Sequence, residues 1–394
     1  MSDQGFPLAT TSWDEREYAA IDRVVKSGMF SMGAEVAKFE DAFAAAMGSK
    51  YCVMVNSGSS ANLIIIAALR HHSTRNLPAG AEVIVPAVSW STTYYPLHQY
   101  GLRMKFVDID PDTLNYDLDA LTEAISPETR AIMVVNLLGN PNDFARIEKI
   151  VGDRDILVIE DNCESLGATY RGRQTGTFGI AGSYSSFFSH HIATMEGGLV
   201  VTDDEELHHI MLSVRSHGWT RHLPKFNHVT GEKSDDAFEE SFRFVLPGYN
   251  LRPLEMSGAI GQEQITKLPM IVRERRRNAE RFRALMQSYP QIRIQQEIGE
   301  SSWFGFSMVV GNDAGFDRAA LIRALGDHGV ECRPVVAGNF AKNEVVVRHM
   351  DHVIHDRLRH AEDIDRNGLF IGNHHYPLDD RWPLLRAALD QVAS

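Results

Sequence analysis

Residues 182–198 read GSYSSFFSHHIATMEGG, and this stretch decides how the rest of the chain is interpreted. Small and hydroxyl residues come first, two histidines lie in the middle, and Glu196-Gly197-Gly198 precedes an apolar run at 199–201. Apolar runs favour buried strands, whereas glycine and polar residues favour turns. The pattern therefore predicts a short buried strand, an exposed turn that carries His190, and a return into a second strand.

The chain has 394 residues, of which 44% are hydrophobic and 23% charged, as in an ordinary globular protein. A chain of this length can form a large core and usually divides into two domains. Its net charge of −13 argues against a basic nucleic-acid footprint. The N-terminus lacks the features of a signal peptide, and the apolar run at 63–69 is too short to span a bilayer. We expect a cytoplasmic protein that binds neither nucleic acid nor membranes.

Short apolar runs alternate with helical patterns through the first two thirds of the chain. The predicted strands include residues 51–55, 82–86, 104–107, 131–136 and 156–160, and helical patterns lie at 118–125 and 145–151. This alternation predicts an α/β fold with a mostly parallel sheet covered by helices on both faces. Ligands in such sheets bind at the carboxyl ends of the strands.

The pattern changes at Gly248. We expect residues 1–255 to form a large α/β domain that holds the ligand, and residues 256–394 to form a long connecting helix and a smaller α+β domain. The helical pattern that starts at Met256 is expected to break or restart at Pro269, because proline lacks the amide hydrogen.

Three features at the predicted strand ends each have two interpretations. Residues 56–60, Asn-Ser-Gly-Ser-Ser, suit phosphate binding, but such turns are common in α/β proteins. Asp161 is either a helix cap or ion-pair partner, or a carboxylate that faces a protonated ring nitrogen. Trp90 is either a core residue or a ring that stacks on a flat cofactor. The residues alone leave these alternatives open.

Metal sites and other familiar motifs are not indicated. The histidines at 349, 352 and 355 are expected on a surface helix rather than around a metal ion. The chain has three cysteines, too few for a four-cysteine iron–sulfur cluster. The sequence contains no GxSxG elbow, GxGxxG fingerprint or P-loop. We therefore expect no metal in this protein.

Considered together, these features make the sequence resemble the sugar-nucleotide aminotransferases of the DegT/StrS family. Members of this family are fold-type-I pyridoxal phosphate enzymes. In that family a serine stands five residues before the catalytic lysine, and Glu-Gly-Gly begins six residues after it. Ser185 and Glu196 keep this spacing, but the lysine position is His190. The match covers essentially the whole chain. The segments SWSTTYYP, EDNCESLGA, LPGYNLRPLEMSGAIG and GESSWFGFS further resemble a branch of the family that removes the C3 hydroxyl of nucleotide sugars.

The resemblance implies a mostly parallel seven-stranded sheet and pyridoxal or pyridoxamine phosphate bound without a covalent bond, because imidazole forms no stable imine. The residues implied at the cofactor are Gly58, Ser59 and Ser185 at its phosphate, Asn250 from a neighbouring subunit, Trp90 and Asp161 at its ring, and Glu164 near the ring hydroxyl, where relatives often have glutamine. The resemblance also implies substrate contacts at His217, Arg221, Glu331 and Arg333. The active form would be a homodimer with shared active sites.

The implied reaction is a 3-dehydration, with His190 as the catalytic residue. L-Glutamate would donate an amino group and leave as 2-oxoglutarate. His190, with an ordinary pKa of about 6.5, would then move protons while the C3 hydroxyl leaves and ammonia is released. The resemblance favours GDP-4-keto-6-deoxy-D-mannose as the nucleotide sugar, on a route to colitose in lipopolysaccharide O-antigen.

Three alternatives remain. A sugar aminotransferase would need a lysine where His190 stands. An iron–sulfur-coupled dehydrase would need the cluster cysteines, so no reductase partner is expected. A noncatalytic protein of the same fold would bind the cofactor without turnover.

Overall fold

The computed structural model describes residues 5–393, in which helices and strands alternate as the sequence predicts. The α-helices are α1 Glu15–Ser27, α2 Ala34–Met47, α3 Gly58–Leu69, α4 Ser91–Gln99, α5 Leu118–Ala124, α6 Phe144–Val151, α7 Glu205–Val214, α8 Ala237–Ser241, α9 Glu255–Met286, α10 Arg318–Asp327, α11 Glu344–His349, α12 Arg359–Asn367 and α13 Trp382–Ala393. Short 3₁₀ helices lie at Leu137–Gly139 and Phe340–Lys342.

The strands are β1 Tyr51–Val55, β2 Glu82–Pro86, β3 Arg103–Val107, β4 Thr129–Val135, β5 Leu157–Asp161, β6 Thr169–Tyr170, β7 Arg173–Gln174, β8 Ala181–Ser185, β9 Gly198–Thr202, β10 Phe226–Asn227, β11 Gly231–Glu232, β12 Ile292–Arg293, β13 Gly305–Val310, β14 Cys332–Arg333, β15 His352–Ile354 and β16 Gly368–Gly372. The largest sheet has eight strands in the order β1-β9-β8-β5-β4-β2-β3-β15. Strand β9 runs antiparallel to β1 and to β8, and the other neighbouring pairs are parallel. This confirms the predicted mostly parallel α/β architecture, with eight strands in place of the seven that the resemblance implies.

Seven of these eight strands come from residues 51–202, and the eighth, β15, comes from the C-terminal part of the chain. The prediction of a surface helix across the histidines at 349, 352 and 355 is therefore wrong. Helix α11 ends at His349, and β15 then pairs with the edge of β3. The edge backbone finds partners there, because the Met104 amide donates to the Asp351 carbonyl at 3.1 Å and the His355 amide donates to the Phe106 carbonyl at 2.9 Å.

Helix α9 is continuous, so the predicted break at Pro269 is wrong. A proline inside a helix costs about 3 kcal/mol. Burial on both sides of the proline offsets this cost, because Leu268 and Ile271 belong to one apolar cluster that also contains residues of α2. The Glu255 carboxylate fixes the start of the helix by accepting hydrogen bonds from three backbone amides, those of Gly33, Glu35 and Val36. None of the helices described between residues 5 and 393 is long and apolar enough to cross a membrane.

A second sheet, in the order β12-β13-β16-β14, lies in the C-terminal part of the chain. Helices α10 and α13 contribute to its apolar core, together with Phe6 from the N-terminal end of the chain. Phe6 is bridged to Val330 beside this sheet. The division into residues 1–255 and 256–394 stays a prediction. Phe6 packs in the core of the second sheet and β15 pairs with β3, so each contacts the part of the chain on the other side of residue 255.

Helix α9 packs closely against the backbone of α2 at Gly258. A methyl group there would lie 2.6 Å from both the backbone nitrogen and the Cα of Val36, which cannot rotate away. We predict that Gly258→Ala lowers the free energy of unfolding by about 2 kcal/mol, as overpacking usually does. Urea unfolding curves measure the change.

The matched control is Gly326→Ala in α10, where an added methyl group would meet no atom within 4 Å. This variant should be more stable than wild type by about 0.5 kcal/mol, because alanine favours the helix. A Gly258→Ala protein as stable as wild type would contradict the close packing of the two helices.

Candidate active site

A cavity of about 630 Å³ lies at the carboxyl ends of the central strands. Open α/β sheets bind their ligands at this edge. Its walls come from the turns after β1 and β2, from the ends of β5 and β8, and from the C-terminal part of the chain. Of the predicted site residues, the cavity wall includes Gly58, Ser59, Trp90, Asp161, Glu164, Ser185, His190 and Arg333.

The turn between β1 and α3 borders the cavity and has the geometry of an anion cradle. The Ser57 hydroxyl caps α3 by accepting a hydrogen bond from the Ser60 amide at 3.1 Å. The start of this 12-residue helix therefore presents amides and a partial positive charge at the cavity wall. A side chain at Gly58 would place its Cβ 2.7 Å from the Cβ of Ser185. The two halves of the predicted phosphate site, Ser59 in the turn and Ser185 on β8, thus meet across Gly58.

Asp161 ends strand β5 as a buried carboxylate. Its Oδ2 accepts hydrogen bonds from Asn62 Nδ2 at 2.8 Å and Thr93 Oγ1 at 2.7 Å, and its Oδ1 accepts one from the Cys163 amide at 3.2 Å. Within residues 5–393 it forms no ion pair and caps no helix. The structure therefore disfavours the interpretation of Asp161 as a helix cap or ion-pair partner. A buried carboxylate without a cation is suited to pair with a positively charged ligand atom.

Trp90 lies at the start of α4, on the cavity wall. Its side chain is 58% exposed, so the core-packing interpretation of this residue is wrong. A broad aromatic ring that faces a cavity from its wall can cover a flat ligand.

The turn that carries His190 joins the antiparallel strands β8 and β9, which confirms the predicted strand–turn–strand pattern. The Ser186 amide donates to the Gly197 carbonyl at 2.9 Å, and the Thr194 amide donates to the Ser186 carbonyl at 2.8 Å. The turn is not fully exposed, however. His190 is half-buried, because the ring of Phe304 packs against it with 5.1 Å between the ring centroids.

The imidazole of His190 is neutral at pH 7. Its Nδ1 is buried and has no hydrogen-bond partner in the described part of the chain. Burial, followed by the positive charge of Arg275, lowers the pKa of His190 to about 4. The expectation of an ordinary pKa near 6.5 is thus corrected. A neutral imidazole at a cavity wall can accept a proton from a bound molecule.

Glu164 is the second titratable group with an altered pKa in the cavity. Burial raises the pKa of Glu164 to about 7; the hydrogen bond from the Leu138 amide to its Oε2, at 2.9 Å, lowers it, and the charge of Asp161 raises it further. The carboxyl group is therefore partly protonated at neutral pH. In that form it offers one donor and one acceptor, as a glutamine side chain does.

Four predicted site residues do not line the cavity of this chain: His217, Arg221, Asn250 and Glu331. The first three belong to residues 216–254, which we call the extension and which contains β10, β11 and α8. Within the extension, the Arg221 guanidinium stacks 4.4 Å from the ring centre of Trp219, and exposed Asn250 accepts a hydrogen bond from Arg252. Glu331 lies nearer the cavity, because its Oε2 accepts a hydrogen bond from the amide of Leu8, a wall residue, at 3.0 Å.

Sequence reasoning missed three residues that shape the site: Asn62, Thr93 and Phe304. Asn62 did carry a signal, since a polar residue inside the apolar run 61–69 must find a buried partner, and that partner is Asp161. Thr93 stands in a polar segment, and Phe304 reaches His190 from a distant part of the chain. No local pattern distinguishes either of them.

The profile of the DegT/DnrJ/EryC1/StrS aminotransferase family matches residues 11–379. The chain belongs to this family. The family resemblance inferred from the segment around His190 is therefore confirmed, and with it the fold-type-I architecture.

Relatives of this DegT-family chain include the GDP-4-keto-6-deoxy-D-mannose 3-dehydratase of Escherichia coli O55:H7, which is 58% identical over 384 residues that cover 98% of this chain and 99% of the relative. A solved structure of the E. coli GDP-4-keto-6-deoxy-D-mannose 3-dehydratase with bound hydrated pyridoxal phosphate superimposes with a TM-score of 0.96 at 58% identity, covering 98% of this chain and 99% of that chain. A crystal structure of a GDP-4-keto-6-deoxymannose-3-dehydratase with a trapped pyridoxal phosphate–glutamate geminal diamine also has a TM-score of 0.96 and 58% identity, covering 98% and 100%.

The raised pKa of Glu164 predicts a pH-dependent stability difference. Between about pH 4.5 and pH 7 the native carboxyl group keeps a proton that the same group loses in the unfolded chain. Its contribution to stability is therefore complete below about pH 4.5 and is lost as the pH rises through 7. We predict that Glu164→Gln and wild type are similarly stable at pH 5, whereas at pH 8 the variant is more stable by about 2 kcal/mol. Urea unfolding of the ligand-free proteins at both pH values measures this.

Glu196→Gln is the matched control, because Glu196 lines the same cavity but is exposed. Its stability relative to wild type should not change between the two pH values. An equal difference at pH 5 and pH 8 for Glu164→Gln would show that the native carboxyl group titrates normally.

Proposed function

We propose that this protein is a lyase that removes the C3 hydroxyl of a nucleotide-linked 4-keto-6-deoxy sugar, GDP-4-keto-6-deoxy-D-mannose, to give GDP-4-keto-3,6-dideoxy-D-mannose. L-Glutamate is the amino donor, and 2-oxoglutarate and ammonia are released. The observation that carries the proposal is His190: an imidazole with an altered pKa stands in the cavity at the position of the family's catalytic lysine. The relatives named as 3-dehydratases match over nearly the whole chain.

The cavity fits pyridoxal or pyridoxamine phosphate. Gly58, Ser59 and Ser185 would hold the phosphate, because the glycine leaves the space and the helix start and the hydroxyls supply the donors. Asp161, a buried carboxylate with no cation partner among residues 5–393, would pair with the protonated ring nitrogen, and Trp90 would stack on the ring. Glu164, with a partly protonated carboxyl group, would lie near the ring hydroxyl. When bound, the cofactor supplies an electron sink for the bonds that break during dehydration.

No lysine belongs to the cavity wall that the described residues form, so we propose that the cofactor is bound without a covalent link to the protein. A lysine is also what the rival aminotransferase reaction requires. His190 instead removes and returns protons: the neutral imidazole takes one from the bound reactants and, once charged, donates one to the departing C3 hydroxyl.

Both substrates are anionic, and Arg333 is the arginine on the cavity wall formed by the described residues. We propose that Arg333 and Glu331 contact the substrate from their own chain. His217 and Arg221 would contribute to substrate binding, and Asn250 to phosphate binding, from the second subunit of a cytoplasmic homodimer.

Two features of the extension support this arrangement. It exposes the aromatic residues Phe226, Phe238, Phe242 and Phe244, whose exposed fractions range from 53% to 88%. Large exposed apolar surfaces mark protein–protein contacts. Asn250 is exposed and outside the chain's own cavity, as a residue that completes a neighbour's site would be.

Replacement of His190 by asparagine tests the reaction. We predict that His190→Asn abolishes dehydration, because the amide cannot take up a proton, even when pyridoxamine phosphate is supplied. Wild type and variant are incubated with glutamate and a panel of nucleotide-linked 4-keto-6-deoxy sugars, and 2-oxoglutarate, ammonia and the deoxygenated sugar are measured.

Ser189→Ala is a matched control, since Ser189 precedes His190 on the same cavity wall and should leave more activity than His190→Asn. Undiminished turnover of His190→Asn would remove the histidine from the mechanism. A stable amino sugar as the wild-type product would identify an aminotransferase instead.

Mixing of two inactive variants tests the shared site. We predict that His190→Asn and Asn250→Ala are each defective as homodimers, and that their mixture recovers about a quarter of wild-type activity, because half of the dimers are then mixed and hold one intact site each. The subunits are exchanged by dilution and concentration before the assay. A mixture no more active than its components would mean that both residues serve the same chain's site.

A further inference from the structure

Arg275 is a buried cation behind the cavity wall. It lies on α9 with 6% of its surface exposed, and no carboxylate of residues 5–393 pairs with it. Burial lowers the pKa of Arg275 to about 10, so the guanidinium stays charged at neutral pH. A buried charge without a counter-ion is costly, and its retention calls for a reason beyond packing.

The guanidinium binds the backbone of the segment that supports His190. Its Nη1 donates to the Phe304 carbonyl at 2.9 Å and to the Trp303 carbonyl at 3.3 Å. Trp303 has a left-handed backbone with φ of 49°, a conformation that a bulky residue adopts only when its surroundings hold it. Asn373 ties the two partners together, because its Nδ2 donates both to the Arg275 carbonyl and to the Trp303 carbonyl.

The same segment contacts both histidines of the catalytic turn. The Phe304 ring packs against His190, and His191 Nε2 is 3.1 Å from the Ser302 carbonyl. The titratable and charged groups around the His190 imidazole are His191 beside it in the chain, Arg275 from α9, and Asp161, Glu164, Glu196 and Arg333 on the cavity wall. Among them, Arg275 is the one whose charge acts on the pKa of His190.

We infer that Arg275 is a positioning residue for His190: it fixes the Trp303–Phe304 backbone, whose Phe304 ring packs against the imidazole, and it places an unbalanced positive charge at that segment. Together with burial, which is the larger cause, this charge favours the neutral form of His190 that can accept the first proton. This role rests on the proposed function of His190 as the proton-transferring residue.

The sign of the effect follows from the charge. A nearby cation disfavours a second positive charge, so removal of Arg275 makes protonation of His190 easier and shifts its titration to higher pH. The acid limb of the pH–kcat profile, where activity appears as His190 loses its proton, moves in the same direction.

Two substitutions of Arg275 and one of its neighbour Arg276 distinguish the effect of the Arg275 charge from the effect of its packing. Arg275→Met removes the charge but keeps an unbranched chain, and Arg275→Lys keeps the charge. The matched control is Arg276→Met: Arg276 is the next residue on α9 and donates to the carbonyls of Ser301 and Glu300, in the same segment, without acting on the pKa of His190.

The measurement is NMR titration of ¹³C-labelled histidines in the ligand-free protein, with His190→Asn identifying the His190 resonance among the 17 histidines. We expect the wild-type imidazole to stay neutral to below pH 5, as it should in Arg275→Lys and Arg276→Met. Arg275→Met should titrate at higher pH, and its acid limb of kcat in the cofactor-loaded enzyme should move with it. Circular dichroism confirms that each variant is folded.

A wild-type His190 that titrates near its ordinary value overturns the inference, whether or not any variant folds. So does a folded Arg275→Met protein with an unchanged His190 titration, or an equal shift in Arg276→Met. The titration needs neither cofactor nor sugar. Its result can therefore contradict the role of Arg275 whether or not the protein catalyses the proposed dehydration.

Discussion

The site depends on the close approach of Gly198 to the turn that follows β1. Gly198 pairs with Val55 on one side and with Ser185 on the other, and a Cβ there would lie 2.7 Å from the Gly58 nitrogen and clash with the Ser57 carbonyl. Space, rather than backbone conformation, therefore requires glycine at this position. Because β9 is antiparallel, the chain returns from β8 through a compact turn and not through a helix. That turn places His190 at the cavity wall.

The two buried charges of the site are held in different ways. Among residues 5–393, Asp161 accepts hydrogen bonds from Asn62 and Thr93 but pairs with no cation. Arg275 donates through Nη1 to two carbonyl oxygens but pairs with no carboxylate of these residues. Each arrangement costs folding free energy that an apolar pair would save. The site accepts this cost because one charge can then act on a ligand and the other can act on His190.

The sequence revealed those parts of the site that follow from local pattern. Asp161 ends a short buried strand and Gly58 stands between a strand and a helix, so periodicity and turn residues are enough to place them at one edge of a sheet. The place of Ser185 in the site follows from the family resemblance. Features set by distant contacts were not predictable. Pro269 sits within a helix because apolar residues on both sides of it are buried, and the lowered pKa of His190 depends on burial by Phe304 and on the charge of Arg275. The residues 349–355 were misread because pairing with a strand far away in the sequence, not local propensity, determines their structure.

The pairing of β15 with β3 also covers an edge of the large sheet. An uncovered strand edge is a template for association between molecules. Strand β15, which comes from the C-terminal part of the chain, occupies the edge of β3. A protein shortened before residue 352 would lose this cover and offer a row of free amides and carbonyls to other copies of itself. The C-terminal part therefore ends the large sheet in an edge strand of only three residues, which offers little template for association, in addition to contributing Arg333 and Phe304 to the cavity wall.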